Sequence, residues 1–244
     1  MTYLESELQE LRYKVMEMAE LIQVQLSHGF LALLDMNPDL AREVLHREKR
    51  IDRLDIKIDK RCEKVLALYQ PVAMDLRFVF SVIKINNNFE LIGDALKYIA
   101  HCVLEFKEPY PPELLTSLQL ESMTQTTEGM VRGAIHSFHR RNAEESRMVY
   151  IQDDKIDDIN RQAQIILIQA IQLNPEKAEA YIRLLLVIQR IERIADYAVS
   201  IAREVVFIIE GKVYRHHKRD GMLISEEEIN LTEPEDISDI SENS

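Results

Sequence analysis

A duplicated pattern constrains this chain more than any other feature. Glu90 opens "ELIGDALKYIA" and Glu192 opens "ERIADYAVSIA", two stretches that share Glu-x-Ile-x-Asp and run on into Ile-Ala. Sliding the chain by 102 residues lays Glu90 on Glu192, Ile92 on Ile194, Asp94 on Asp196, Ile99 on Ile201 and Ala100 on Ala202. Sliding it by 105 lays Asn37 on Asn142, Glu48 on Asp153, Ile51 on Ile156, Asp52 on Asp157 and Leu54 on Ile159. Self-similarity at a fixed offset marks a repeated structural unit. The chain therefore reads as two copies of one unit, 1–108 and 109–211, followed by an acidic tail, 212–244, expected to be disordered.

Each unit is expected to be three helices. Pro38, Pro71, Pro109, Pro111, Pro112 and Pro175 sit at the edges of apolar-periodic segments, where a helix tolerates proline in its first turn. The spacing predicts helices over 3–36, 38–69, 72–107, 113–140, 143–173 and 176–210, with Gly211 as the final stop. The break near Asn142 carries no proline or glycine; it rests on the repeat and on asparagine as an N-cap. No strand signal stands out. Long periodic segments joined by short turns give an all-α chain of two tandem three-helix bundles.

Composition excludes several classes. Hydrophobic residues make up 46% of the chain, enough for a real core. No uncharged apolar run is long enough to span a membrane, and "MTYLESELQE" has neither the basic start nor the apolar core of a signal peptide. Cys62 and Cys102 fit free thiols in a reducing cytoplasm. Of the net charge of −12, the segment Asp220–Ser244 carries −9, so the body is near balance and has no basic stripe for nucleic acid.

The acids form ridges. With Ile51 at zero on a helical wheel, Val44, Leu54, Ile58, Cys62 and Val65 make the core stripe of the second helix. Glu48, Asp52, Asp55 and Asp59 fall at about 60°, 100°, 40° and 80°, on the shoulder of that stripe. In the fifth helix Asp153, Asp157, Asn160 and Gln164 take the same places, so two acids have become amides. Glu90/Asp94 and Glu192/Asp196 are i, i+4 pairs flanked by Phe89, Ile92 and Leu96, or by Ile191, Ile194 and Ala198. Like charges one turn apart repel by a few tenths of a kcal/mol on an isolated helix, and partial burial raises the cost unless a cation arrives. Carboxylates from two facing helices suit a hard or borderline cation. A plain solvated face with surface pairs such as Asp157–Arg161 and Asp94–Lys97 is the bland alternative.

The stretches "REKRIDRLDIKIDKRC", "QPVAMDLRFVFSVIKINNNFELIGDALKYIA" and "LLLVIQRIERIADYAVSIAREVVFIIEGK" resemble the PhoU family of bacterial phosphate-uptake regulators over about residues 3–214. The resemblance implies two tandem three-helix bundles and a regulator rather than an enzyme. It implies a cytoplasmic protein, often a homodimer, peripheral to the inner membrane through its partners. Those partners are the ATPase subunit of an ABC phosphate transporter and a sensor histidine kinase, which the regulator restrains when phosphate is plentiful. The family's acid signature falls on Glu48/Asp52, Glu90/Asp94, Asp153/Asp157 and Glu192/Asp196, with Asp55 and Asp59 as a second tier. In some members such acids hold multinuclear transition-metal clusters, iron first, with zinc, manganese or nickel as the other candidates; other members hold none. "Pro-Val-Ala-x-Asp-Leu-Arg", Pro71 to Arg77, makes Asp75 and Arg77 candidate partner contacts, with Pro71 read as the first helical residue. The chain departs from the pattern at Leu91, where a basic residue is usual and where the second unit has Arg193.

Two rivals stand beside this reading. A metal-free helical adaptor of the same fold, with a different signalling partner, needs no acid ligands. A carboxylate-bridged di-iron enzyme needs Glu-x-x-His on two helices, and only Glu43-x-x-His46 fits. No Gly-rich phosphate loop occurs.

Overall fold

The computed structural model describes residues 2–106, 109–212, 214–219 and 222–225. The body is all-α. Three long helices form the first unit: α1 (Tyr3–Leu34), α2 (Pro38–Tyr69) and α3 (Ala73–Glu105). The second unit holds α4 (Pro112–Ser117), α5 (Leu120–Arg140), α6 (Ala143–Ile151), α7 (Asp153–Leu173) and, after a 3₁₀ turn at Pro175–Lys177, α8 (Ala178–Glu210).

Local chemistry accounts for the ends. Thr2 and Glu5 form a capping box on α1. Asn37 caps α2 by accepting from the N–H groups of Asp39 (3.0 Å) and Leu40 (3.2 Å). Asn142 caps α6 in the same way, accepting from Glu144 (3.0 Å) and Glu145 (3.3 Å). The repeat thus reaches down to its caps. Gly211 ends α8 at φ 74°. Gln70 does that work at the end of α2, but at φ 45°, where a Cβ is strained. Gln70→Gly is expected to stabilise the protein by roughly 1 kcal/mol, read as a higher urea midpoint at unchanged m-value.

Three local expectations are corrected. The segment 113–140 is two helices, because Gln119 takes a left-handed conformation (φ 51°) that seats Leu118 and Leu120 on the core side. The segment 143–173 is interrupted at Gln152, whose N–H bonds Val149 O at 3.3 Å in a tight i−3 turn. Pro71 precedes the cap, Val72, rather than opening α3. Past the body, β1 (Tyr214–Arg219) pairs antiparallel with β2 (Met222–Ser225), where neither strands nor order were expected. The Asp-Gly dipeptide between them in sequence is the hairpin signal. Residues 226–244 of the expected tail lie outside the described residues.

The core follows the stripes. α2 buries Ala41, Val44, Ile51, Leu54, Ile58, Cys62 and Val65, the periodic face that the wheel gives. Within the first unit α1, α2 and α3 pack on one another; in the second, α8 packs on α5, α6 and α7. The units are not separate beads. α3 lies along α8, α1 meets α5, and one hydrophobic cluster runs through both units. Polar ties cross the same seam: Ser81 Oγ donates to Glu204 at 2.9 Å, Lys84 pairs with Glu204 at 2.8 Å, and the Arg190 guanidinium stands 4.8 Å over the Tyr98 ring. Among the described residues no helix is long and apolar enough to cross a membrane.

Candidate functional site

The first acid ridge is not uniform. Glu48 lies within the buried face of α2 and is 2% exposed. Gln25 of α1 reaches across, its Nε2 donating to Val44 O at 2.9 Å and to Glu48 Oε2 at 3.1 Å. Arg47 donates to Gln25 Oε1 at 3.0 Å, which fixes the amide with its NH₂ toward the acid. Glu48 Oε1 is buried with no hydrogen-bond partner among the described residues. Beneath the carboxylate, α3 presents Gly93, where a Cβ would lie 3.1 Å from both oxygens. Glycine is required here by close approach rather than by backbone angle. Burial first, then the charge of Asp52, pushes the Glu48 carboxyl up to about 7, against the opposing pull of Lys97.

The rest of the ridge meets α3 through an amide. Asn86 Nδ2 donates to Asp55 Oδ1 at 2.7 Å, to Asp59 Oδ1 at 3.1 Å and to Asp55 O at 3.1 Å. Burial and Asp59 raise the Asp55 carboxyl. Glu90, half-buried, is raised by burial, then by Asp94, Asp55 and Asp52. The charges of Asp52 on α2 and Asp94 on α3, both exposed, thus bear on Glu48 and on Glu90 alike. The cluster contains its own cation. Lys97 bonds Asp94 at 3.2 Å and is raised by that bond and by the fields of Asp94, Glu48 and Asp52.

The second cluster assembles from the corresponding places. Glu192 of α8 is raised by burial, then by Asp196 and Asp157, with Arg193 opposing and Asp153 adding. Asp153 and Asn160 are both 9% exposed. Arg161 pairs with Asp158, and the charge of Asp157 also acts on it. The copies differ in instructive ways. Asn86 corresponds to Ile188, and Lys97 to Val199. The second cluster's cation is Arg193, one position before Ile194, where the first unit has Leu91. Glu48 over Gly93 corresponds to Asp153 with Ala195: one copy has a longer acid and no Cβ, the other a shorter acid and a methyl.

Gln25, Asn86, Gly93 and Lys97 were not among the sequence candidates. Asn86, Glu90 and Lys97 follow i, i+4, i+11 spacing, which places them on one face; that periodicity is the signal that could have found them. Gln25, from another helix, leaves none. Asp75 and Arg77 stand apart from both clusters at the start of α3, beside the end of α8: a Cβ on Gly211 would lie 2.5 Å from an Arg77 Nη. Arg77 thus packs across the seam between units. Glu43 pairs with His28 at 2.9 Å and with Arg47 at 3.7 Å, and His46 is exposed, so among the described residues Glu43-x-x-His46 joins neither acid cluster.

Chemically the two clusters are carboxylate sets held closer than their charges favour, with Lys97 and Arg193 as cations beside them. Among the described residues no three His, Cys, Asp or Glu side chains converge at metal-ligand distance.

A family model described as the PhoU domain matches residues 15–103 and again 120–205. The phosphate-specific transport system accessory protein PhoU of Edwardsiella tarda is 32% identical over 222 residues, covering 89% of this chain and 88% of that protein. The accessory protein PhoU of Escherichia coli is 30% identical over 216 residues, covering 86% and 87%. The crystal structure of PhoU from Pseudomonas aeruginosa superposes with a TM-score of 0.81 at 26% identity, covering 85% of this chain and 99% of that one.

Proposed function

The chain belongs to the PhoU family, and from that premise we propose that it is a cytoplasmic regulator of phosphate uptake, acting by contact rather than by catalysis. Its relatives are named as accessory proteins of phosphate-specific transport systems. The partners proposed are the ATPase subunit of the ABC phosphate transporter and a sensor histidine kinase, met by a homodimer at the inner face of the membrane.

The observation that carries a metal-dependent version is Glu48: a carboxylate 2% exposed, with one oxygen that has no hydrogen-bond partner among the described residues and two other acids, Asp52 and Asp94, in its field. By chemistry the donor set suits a hard or borderline cation; since no three of the described side chains converge at metal-ligand distance, binding would have to draw them together. Glu48, Asp52, Glu90 and Asp94 would hold it in the first unit, and Asp153, Asp157, Glu192 and Asp196 in the second. Iron leads, with zinc, manganese or nickel behind it. Bound metal would supply positive charge that relieves carboxylate repulsion and shapes an acidic face for basic partner surfaces. Metal at 100 times its Kd is expected to stabilise the fold by about 2.7 kcal/mol.

The metal-free adaptor is favoured by one observation, the internal cations Lys97 and Arg193, which offset the clusters in part. Elemental analysis of untagged protein purified without chelator separates the two. Several metal atoms per chain support the first reading; none supports the second. Glu90→Gln with Asp94→Asn is expected to lower metal content and weaken pull-down of the transporter ATPase. Unchanged partner binding in that variant would refute the role given to the first cluster.

A further inference from the structure

A second constellation lies at the opposite kind of chemistry. Where the end of α8 meets α1 and α3 there is a cavity of about 510 Å³. Leu8, Met74, Phe78, Ile208 and Ile209 make its apolar wall, and Arg12 and Arg141 bring two guanidiniums. Arg12 sits 4.8 Å from the Phe78 centroid and 5.2 Å from that of Phe138. Ring contacts of this kind engage the face of a guanidinium, while its five N–H donors lie in its plane. Among the described residues no hydrogen bond or ion pair takes those donors, nor the side-chain donors of Arg141. Burial and the charge of Arg141 push Arg12 down to about 10, so it remains a cation at neutral pH.

Two acids also line the cavity. Glu5 caps α1, accepting from Thr2 N at 2.8 Å. Asp75 lies in the first turn of α3, where a carboxylate favours the helix N-terminus. Arg12 is half-buried and Arg141 exposed, so both guanidiniums are reachable from the cavity with no protein acceptor already on them among the described residues. We propose that the junction cavity binds an organic oxyanion, its carboxylate or phosphate head on Arg12 and Arg141 and its apolar body against Phe78, Met74, Ile208 and Ile209. The volume lies in the usual range for small-molecule sites; a bare phosphate ion would leave the apolar wall wet. The fork geometry of two guanidiniums suits planar or tetrahedral oxyanions.

Calorimetric titration of the full chain with phenyl phosphate, benzoate and inorganic phosphate tests this. At least one organic probe is expected to bind, and the tighter of the two names the head group. Inorganic phosphate is expected to bind about tenfold more weakly, and Arg141→Ala and Arg12→Gln are each expected to weaken the organic probe about tenfold or more. Arg141 is exposed at a helix end, so its variant should fold even where Arg12→Gln does not. The assignment falls if neither organic probe binds up to about 10 mM, if inorganic phosphate binds as well as they do, or if binding survives Arg141→Ala.

Discussion

Glu48→Gln is expected to stabilise the metal-free protein at pH 8 by about 3 kcal/mol, the linkage value of a carboxyl raised from 4.5 to about 7. The sign follows from proton binding. The folded state holds the Glu48 proton more tightly than the unfolded chain does. Below pH 4.5 the acid is neutral in both states, and burial costs little. Between 4.5 and about 7 the unfolded chain ionises while the fold resists, so stability falls with rising pH. Above about 7 the full penalty is present. Glutamine carries no charge and can still accept the Gln25 bond through its own oxygen. Wild type and variant should therefore melt together near pH 4 and diverge by several degrees at pH 8, at roughly 2–4 °C per kcal/mol for a chain of this size. Added metal should raise the wild-type midpoint and leave the variant's nearly unmoved. Coincident melting curves across the whole range would mean that Glu48 is hydrated or paired in solution.

The Glu48–Gly93 contact makes the second large effect. Gly93→Ala puts a methyl 3.1 Å from both Glu48 oxygens and 3.3 Å from Ile51 Cγ2. Overpacking of this order costs about 1–3 kcal/mol, against roughly 1 kcal/mol gained from alanine's helix propensity. Glu48→Asp alone draws the carboxylate back from Gln25 and leaves a gap. The double variant Glu48→Asp with Gly93→Ala writes into the first unit the Asp153 and Ala195 of the second. It is expected to be more stable than the sum of the singles by about 1 kcal/mol or more, since the shorter acid leaves room for the methyl. Residues out of contact add within about 0.5 kcal/mol; additivity of that quality in a denaturant double-mutant cycle would show that the two copies differ by chance.

What the sequence by itself determined is local or periodic. Asn37 and Asn142 cap helices because a side-chain oxygen two or three residues upstream reaches a free N–H, and that needs no distant partner. The α2 stripe from Val44 to Val65 is buried as its 3.6-residue period requires. The duplication, read from Glu90 against Glu192, yields tandem bundles because equal patterns fold into equal units. The second acid cluster was legible for the same reason. The breaks at Gln119 and Gln152 were not: neither residue is a helix breaker, and packing of Leu118 and Leu120 overrides propensity there. Only the tertiary structure decided which acid of the ridge is buried. Glu48 and Asp52 stand one turn apart on α2, yet Gln25 of α1 and Gly93 of α3 enclose the first and leave the second exposed. Arg12 and Arg141 likewise meet only because α1 packs on α5 across the seam. Ionisation depends on burial and on charges brought from other helices, and those are properties of contacts between segments that lie far apart in the chain.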